Sequence, residues 1–553
     1  MSNIISNVEV EFGVDEEESK EETLDSIIEE EFRKLKNNKL VNRESVTRLE
    51  RECQFIDNEE SINIKHLSKI FALPTLDKTT PLPLTLKSAK RELDKNNFGM
   101  TEEKEIILDF VSSLRNSKKQ QPIKILLVGP PGVGKSTLAI SMAKVFNRKY
   151  SLLSCSGQRD FPFLKGWEKS YKSSKPGKIV ETLIGLNTSS PMIIFDEIDK
   201  FSSDDINSSH ATFYELLDDT TNKNFHDNYI DIGINTSNIA IVATANNLEL
   251  LPEPIIDRFN EIIHVSPYSI EEKIEISKKF IIKNCRKLFN LSYNQFSLST
   301  KSLEFIIKGY TDNEPGIRSL KYLIEKIGRK ISRRIQERKL QKTHKFSIDK
   351  LEIIKLLGHP NFKNTECDPL PPGCCLGVGV CEDVGDILPI EVLQLTSQIE
   401  EPICTLTGEF KKTTEESVWV ALSVIRSNLE EFGLTEDDIS YKNFHIHSPT
   451  TVGNGVDGPS VGCVLLVAML SAIKNKSVSN ELVITGALNL RGQIEEIGGL
   501  REKIIGASIN DKKKFIFPAQ NENNFLTISD RIPDMEYIMV QNIFELVELV
   551  GLG

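Results

Sequence analysis

Three short apolar runs stand out against a polar chain: KILLVG at 124–129, PMIIFDE at 191–197 and NIAIVATAN at 238–246. Each is nearly continuous, not alternating, which is the pattern of a strand buried on both faces. Helix-length segments separate them. From Arg91 onward the chain therefore predicts an α/β domain built on a doubly wound parallel sheet, over 91–268. From about Ser269 the strand-like runs stop, and charged amphipathic stretches such as IEEKIEISKKFIIKNCRKLF predict a helical subdomain over 269–358. The proline- and glycine-bearing HPNFKNTECDPLPPG at 359–373 marks another boundary.

Beyond it the periods mix. GVGV, DILPIEVLQL, FHIHS, ELVITGAL and KKFIFP read as strands, while 413–432 and 461–474 read as helices, giving an α+β domain over 359–553. Residues 1–90 form a polar, mostly helical lead-in that ends in PLPLTL at 81–86, and no internal repeat is visible.

Composition narrows the class. Of 553 residues, 39% are hydrophobic and 27% charged, ordinary values for globular protein with several cores. The net charge of -12 is concentrated: Asp15 to Glu31 hold ten acids and one lysine, which leaves about -3 for the rest. That run reads as a solvated helix face or a disordered tail. The acidic balance, without a basic patch interleaved with aromatics, argues against nucleic acid, and DNA stays a weakly supported partner.

The first residues, MSNIISNVEV, have neither a basic start nor an apolar run, and the apolar stretch 461–473 is too short for a bilayer. Nine cysteines include no CxxC pair, and the cluster Cys367, Cys374, Cys375 and Cys381 has no histidine, so reduced thiols are expected. These features predict a cytoplasmic location and no membrane.

The first chemical signature follows the first strand: Gly129, Pro130, Pro131, Gly132, Val133, Gly134, Lys135, Ser136 and Thr137. Glycines at these spacings let successive N–H groups wrap phosphates, and the helix that begins here adds its positive end. Lys135 suits the β- and γ-phosphates and Ser136 suits Mg²⁺. Asp196 and Glu197 close the second strand, Asp196 suited to Mg²⁺ and Glu197 to polarising water. ATP and Mg²⁺ are the expected cofactors.

With these motifs the region resembles the AAA+ ATPases. The resemblance implies that Asn246 in VATANN contacts the γ-phosphate and water, that Arg258 in PEPIIDRF reaches a neighbouring subunit's nucleotide, and that Arg318 in EPGIRSL senses nucleotide from the helical subdomain. An arginine acting in trans implies a ring, a homo-hexamer.

A second signature lies far downstream in HIHS (445–448), DGPSVG (457–462), TGALNLRGQI (485–494) and IGGLREKIIGA (497–507). These segments resemble the proteolytic domain of Lon proteases, and with the ATPase motifs the resemblance runs from about Arg91 to the end. It maps the nucleophile onto Ser460, the lysine of a Ser-Lys dyad onto Lys503 and a threonine that bonds the lysine onto Thr485, with Asp457, His445 and His447 lining the site. The residues agree on chemical grounds. Ser460 precedes an apolar helix, where developing negative charge is favoured. Lys503 lies beside Ile504 and Ile505, and burial would keep its amine neutral enough to act as a base. The implied activity is ATP-dependent serine endopeptidase action on unfolded or tagged proteins. A AAA+ unfoldase with a silent peptidase domain is the alternative.

Three features depart from the family pattern. About ninety residues precede the ATPase region, where most Lon enzymes carry a long substrate-recruiting domain. The substrate-gripping loop maps onto Tyr171-Lys172-Ser173, with Trp167 as a rival. The approach PTTVGNGVDGPS and Ala487 replace the usual lysine-aspartate approach and the acid after Thr-Gly.

Overall fold

The computed structural model describes residues 24–553 apart from 55–60, 78–79, 118–121, 157–161, 169–173, 202–205, 313, 338–345, 347, 361–368, 382–383, 409, 450–457, 530–531 and 533. The chain divides into two compact units, Met1–Ser266 and Pro267–Gly553.

The three apolar runs form the centre of the first unit's sheet, as strands Lys124–Val128, Met192–Asp196 and Ala240–Ala245. Tyr150–Ser154 and Glu261–His264 complete it at the edges, and all neighbours are parallel. The spatial order is 150–154, 192–196, 240–245, 124–128, 261–264. The second strand in sequence therefore lies at the far edge, and the crevice for a ligand opens at the carboxyl ends of the central strands.

Residues 24–71 are an integral part of this unit. Helices Leu24–Asn37, Arg43–Gln54 and Ser61–Phe71 place Phe32, Leu35, Leu40, Val46 and Ile70 in one apolar cluster with Phe225, Ile230 and Ile234. Val41 bridges Ile234 main chain to main chain, His66 Nε2 lies 2.7 Å from the Tyr229 carbonyl, and Arg48 pairs with Asp231 at 3.0 Å. The polar composition of this segment concealed these narrow apolar stripes. Most of the acidic run lies outside the described residues; its last part, from Leu24, begins the first helix.

The second unit opens with helices at 270–288, Thr300–Tyr310, Arg318–Glu337 and Lys350–Leu357. Ser269 starts the first with a reciprocal capping box to Glu272. A seven-stranded mixed sheet follows, in the order 404–407, 442–447, 384–396, 374–381, 482–484, 514–518, 536–540.

Period-two alternation sorts its side chains. Cys375, Leu388, Ile390, Leu482 and Ile484 face the helices Lys412–Ser427 and Gly462–Lys474, while Leu376, Ile387, Val483, Phe515 and Phe517 face the helix Leu500–Ile509. Cys374 and Cys375 consequently point to opposite faces, and Cys367 lies outside the described residues. Among the described residues no helix is long and apolar enough to cross a membrane.

Candidate active sites

The glycine-rich loop lies between strand Lys124–Val128 and helix Lys135–Val145, at the carboxyl edge of the sheet. Gly129, Gly132 and Gly134 all have positive φ, and a Cβ on Gly129 would stand 2.1 Å from the Val265 carbonyl oxygen. Only glycine fits there. Lys135 is 6% exposed, and its ammonium donates to the Pro130 carbonyl at 2.9 Å and to Asn246 Oδ1 at 2.8 Å, and also to the Gly129 carbonyl. The loop, the lysine and Asn246 therefore converge.

Ser136 Oγ donates to Asp196 Oδ1 at 2.7 Å, placing two oxygen ligands suited to Mg²⁺ side by side. These features fit a nucleotide with its metal: a glycine-bearing backbone cradle, a buried cation and a hydroxyl-carboxylate pair. Sequence reasoning missed Thr244, which is wholly buried. Its hydroxyl donates to Asp196 at 2.7 Å and accepts the Glu197 N–H at 2.9 Å, so one side chain orients both acids. Glu197 is left-handed at φ 59, a conformation that costs a non-glycine residue about 1–2 kcal/mol. The signal for Thr244 was the segment VATAN, with a lone hydroxyl inside an apolar strand.

Asp199 is missed too. It is buried, and both its carboxylate oxygens lack a hydrogen-bond partner among the described residues.

Arg258 stacks on the Tyr214 ring at 5.0 Å and donates to the Pro254 carbonyl at 2.6 Å, with Asp218 4.0 Å away. The Thr220 hydroxyl, the 220 and 221 N–H groups and Arg258 together hold the Asp218 carboxyl down at about 2. Arg318 belongs to the second unit, exposed at the first turn of its helix. The turn before it is fixed by the buried Lys273, which donates to the Glu314 carbonyl. Tyr171, Lys172 and Ser173 lie outside the described residues, while Trp167 is exposed.

In the second unit Ser460 sits in the short turn Pro459–Val461 that leads into helix Gly462–Lys474. Gly458 enters the turn at φ 106, its N–H held by Thr413 Oγ1 at 3.0 Å. Lys503 comes from the helix on the other face of the sheet and is 4% exposed. Its amine donates to Thr485 Oγ1 at 3.3 Å, and Thr485 Oγ1 donates at 3.5 Å to the Ser460 carbonyl, which the Gly486 N–H also binds at 2.9 Å. Thr485, at the end of strand Leu482–Ile484, is thus the link between the two helices. Burial lowers Lys503 to about 8, against a smaller opposing pull from Glu502.

Two glycines make the lysine helix fit. A Cβ on Gly506 would stand 2.4 Å from the Gly385 carbonyl, and one on Gly385 would stand 2.0 Å from the Glu502 carbonyl oxygen. His445 and His447 share the Thr407 hydroxyl, each ring nitrogen 2.9 Å from it. Ala487 is buried and pairs with Glu495. Asp457 lies outside the described residues.

Fold and sites define a AAA-type ATPase module joined in one chain to a peptidase-type α+β domain. Comparison with known proteins agrees. Residues 125–267 match the ATPase family associated with various cellular activities (AAA), 287–344 the Lon protease AAA+ ATPase lid domain, and 347–551 the Lon protease (S16) C-terminal proteolytic domain. Two of these three models, over 287–344 and 347–551, are modules of Lon proteases.

It is 36% identical to the Lon protease of Mycoplasmopsis agalactiae over 488 residues, covering 82% of this chain and 48% of that protein. It is 34% identical to that of Ureaplasma parvum serovar 3 over 499 residues, 89% of this chain and 62% of that one. For the Lon protease of Clostridioides difficile the values are 32% over 491 residues, 88% and 61%. The chain spans about half to three-fifths of the length of these curated relatives.

Proposed function

We propose that the chain is an ATP-dependent serine endopeptidase that unfolds, translocates and cuts protein substrates, unfolded or tagged, as a homo-hexamer in the cytoplasm. The observation that carries this reading is the buried Lys503 amine, bonded to Thr485 beside the Ser460 turn, in a chain that also holds a complete phosphate cradle. This buried placement of Lys503 on Thr485, beside the Ser460 turn, favours a working dyad over a silent peptidase domain.

In the ATPase unit Lys135 and the 129–137 backbone would bind the phosphates, and Ser136 and Asp196 would hold the metal. Bound as its Mg²⁺ complex, ATP supplies the phosphoanhydride whose hydrolysis drives the cycle. Glu197 would polarise the attacking water and Asn246 would orient it, with Arg258 completing a neighbour's site and Arg318 reporting on occupancy.

In the peptidase unit Ser460 Oγ would attack the scissile carbonyl carbon as Lys503 Nζ takes the hydroxyl proton. Lys503 would then return that proton to the departing amine nitrogen, breaking the C–N bond and leaving an ester on Ser460. Water, deprotonated by Lys503, would then attack the ester carbonyl, and Lys503 would return the proton to Ser460 Oγ as the C–O bond breaks and the acid leaves. Thr485 would aim the amine, and the helix after Ser460 favours the negative charge that develops.

The test is degradation of a loosely folded protein by the full chain with ATP and Mg²⁺. Cleavage that is lost in Ser460→Ala while ATP hydrolysis persists supports the proposal. Cleavage that survives in Ser460→Ala refutes the nucleophile, and ATP hydrolysis without cleavage of any unfolded protein refutes the peptidase.

A further inference from the structure

Residues 164–167 and 175–177, which flank the stretch carrying Tyr171 in sequence, form a pinched neck on the ATPase unit. The Trp167 N–H donates to the Lys175 carbonyl at 3.2 Å. A Cβ on Gly177 would stand 1.9 Å from the Leu164 carbonyl oxygen, and one on Gly166, at φ 76, would stand 2.8 Å from the Gly177 nitrogen. The two sides of the neck touch backbone to backbone, an approach that only glycine permits.

A single turn grips both sides. Asp227 Oδ2 accepts the Gly177 N–H at 2.8 Å on one side. On the other, the Asn228 N–H donates to the Lys165 carbonyl at 2.7 Å, and Asn228 Nδ2 to the Gly166 carbonyl at 3.3 Å. Lys165 also pairs with Glu215, whose second oxygen accepts the His226 N–H. Asp227 Oδ1 meanwhile closes its own turn by accepting the Tyr229 and Ile230 N–H groups at 2.9 and 3.0 Å.

This carboxylate is wholly buried, and burial pushes it up to about 6 although three N–H groups hold it down. Closing the turn needs one oxygen. The second oxygen, with its desolvation cost, is spent on the neck. The same turn meets the N-terminal helices through His66 at Tyr229 and Arg48 at Asp231.

We propose that Asp227 is a positioning residue for substrate translocation: it locks the neck of the 167–176 segment to the ATPase unit, so that movement of the unit reaches the gripping side chain. The proposal rests on the reading of that segment as the substrate grip. Without the lock, the unit would still hydrolyse nucleotide, but its stroke would dissipate in the neck.

The experiment uses the full chain carrying Asp227→Asn, which keeps one oxygen for the turn and sets an amide N–H₂ against the Gly177 N–H. Three rates are compared: ATP hydrolysis, ATP-supported cleavage of a short unstructured fluorogenic peptide, and degradation of a stably folded protein with an unstructured tail. Folded-protein degradation should fall about 10-fold or more, the other two should change by less than about 2-fold, and ATP consumed per molecule degraded should rise. Unchanged folded-protein degradation, or equal loss of all three rates, overturns the proposal.

If Asp227→Asn does not fold, Asn228→Ala, which keeps the main-chain bond to Lys165, should show the same selectivity at about 3-fold; equal effects on all three rates again overturn it. Tyr171→Ala separates the premises. Wild-type degradation of the folded protein by Tyr171→Ala and by Trp167→Ala alike defeats the grip reading itself, whereas a crippled Tyr171→Ala beside an unaffected Asp227→Asn defeats only the positioning role.

Discussion

Lys503 and Thr485 meet Nζ to Oγ1 at 3.3 Å, from a helix on one face of the sheet to the end of a central strand. Because Thr485 also touches the Ser460 carbonyl, the Lys503 amine is aligned against the Ser460 turn. Burial lowers the amine to about 8, so the charged form predominates at neutral pH and the basic form grows as pH rises. Peptide kcat/KM should therefore climb about tenfold per pH unit below about 8 and level off above it. A flat profile between about pH 6 and 8 would contradict this assignment. Lys503→Arg, whose side chain stays charged, should lower cleavage by about 10³-fold or more at every pH.

Removing the link should be milder than removing the base. Thr485→Val keeps shape but takes away the acceptor for Lys503, and peptide cleavage should fall about 10-fold. Steady-state kinetics at pH values on both sides of 8 would show whether the loss is in kcat, as expected for a misdirected base.

The crossing of Gly506 and Gly385 leaves no room for a methyl group, since the nearest atoms are backbone. Gly506→Ala should cost about 1–3 kcal/mol in denaturant unfolding of the second unit, and should displace the Lys503 helix. Peptide cleavage should drop while ATP hydrolysis continues. An unaltered midpoint with full cleavage would show that the helix can back away freely.

Thr244→Val tests the hydroxyl that serves both Asp196 and Glu197. The swap leaves the Glu197 N–H without its acceptor and frees the Asp196 carboxylate, at a cost of about 1–3 kcal/mol. ATP turnover should fall about 10-fold or more, with a smaller effect on nucleotide affinity measured by calorimetry.

Leu40, wholly buried, belongs to the apolar cluster shared by the N-terminal helices and the 225–234 turn. Leu40→Ala should cost about 2–5 kcal/mol and lower the melting temperature of the whole ATPase unit. Release of residues 24–71 with the unit's transition unchanged would show that they are an independent appendage.

The parts of this architecture that were legible in the sequence are those written in local periodicity. The central strands of the ATPase sheet are unbroken apolar runs, and the cradle announces itself through glycine spacing. The edge strands Tyr150–Ser154 and Glu261–His264 are partly exposed, so neither carries such a run. Helix 412–427 also ends earlier than its apolar pattern, at Asn428, whose side chain turns back to the Val424 carbonyl. Thr244, Gly385 and Asp227 act through register and close approach between distant segments, which no window of sequence contains. The roles proposed for Ser460 and Lys503 come from motif resemblance, but the threonine geometry that joins their helices required the sheet. Asp457 and Tyr171 fall outside the described residues, and their roles rest on the motif alone.

The central claim is that one chain couples nucleotide hydrolysis to peptide-bond cleavage. The most direct measurement is ATP turnover and folded-protein degradation, followed together in wild type and Glu197→Gln. The account predicts that both rates fall together, by about 100-fold or more. Degradation that continues at the wild-type rate after ATP turnover is lost would contradict it.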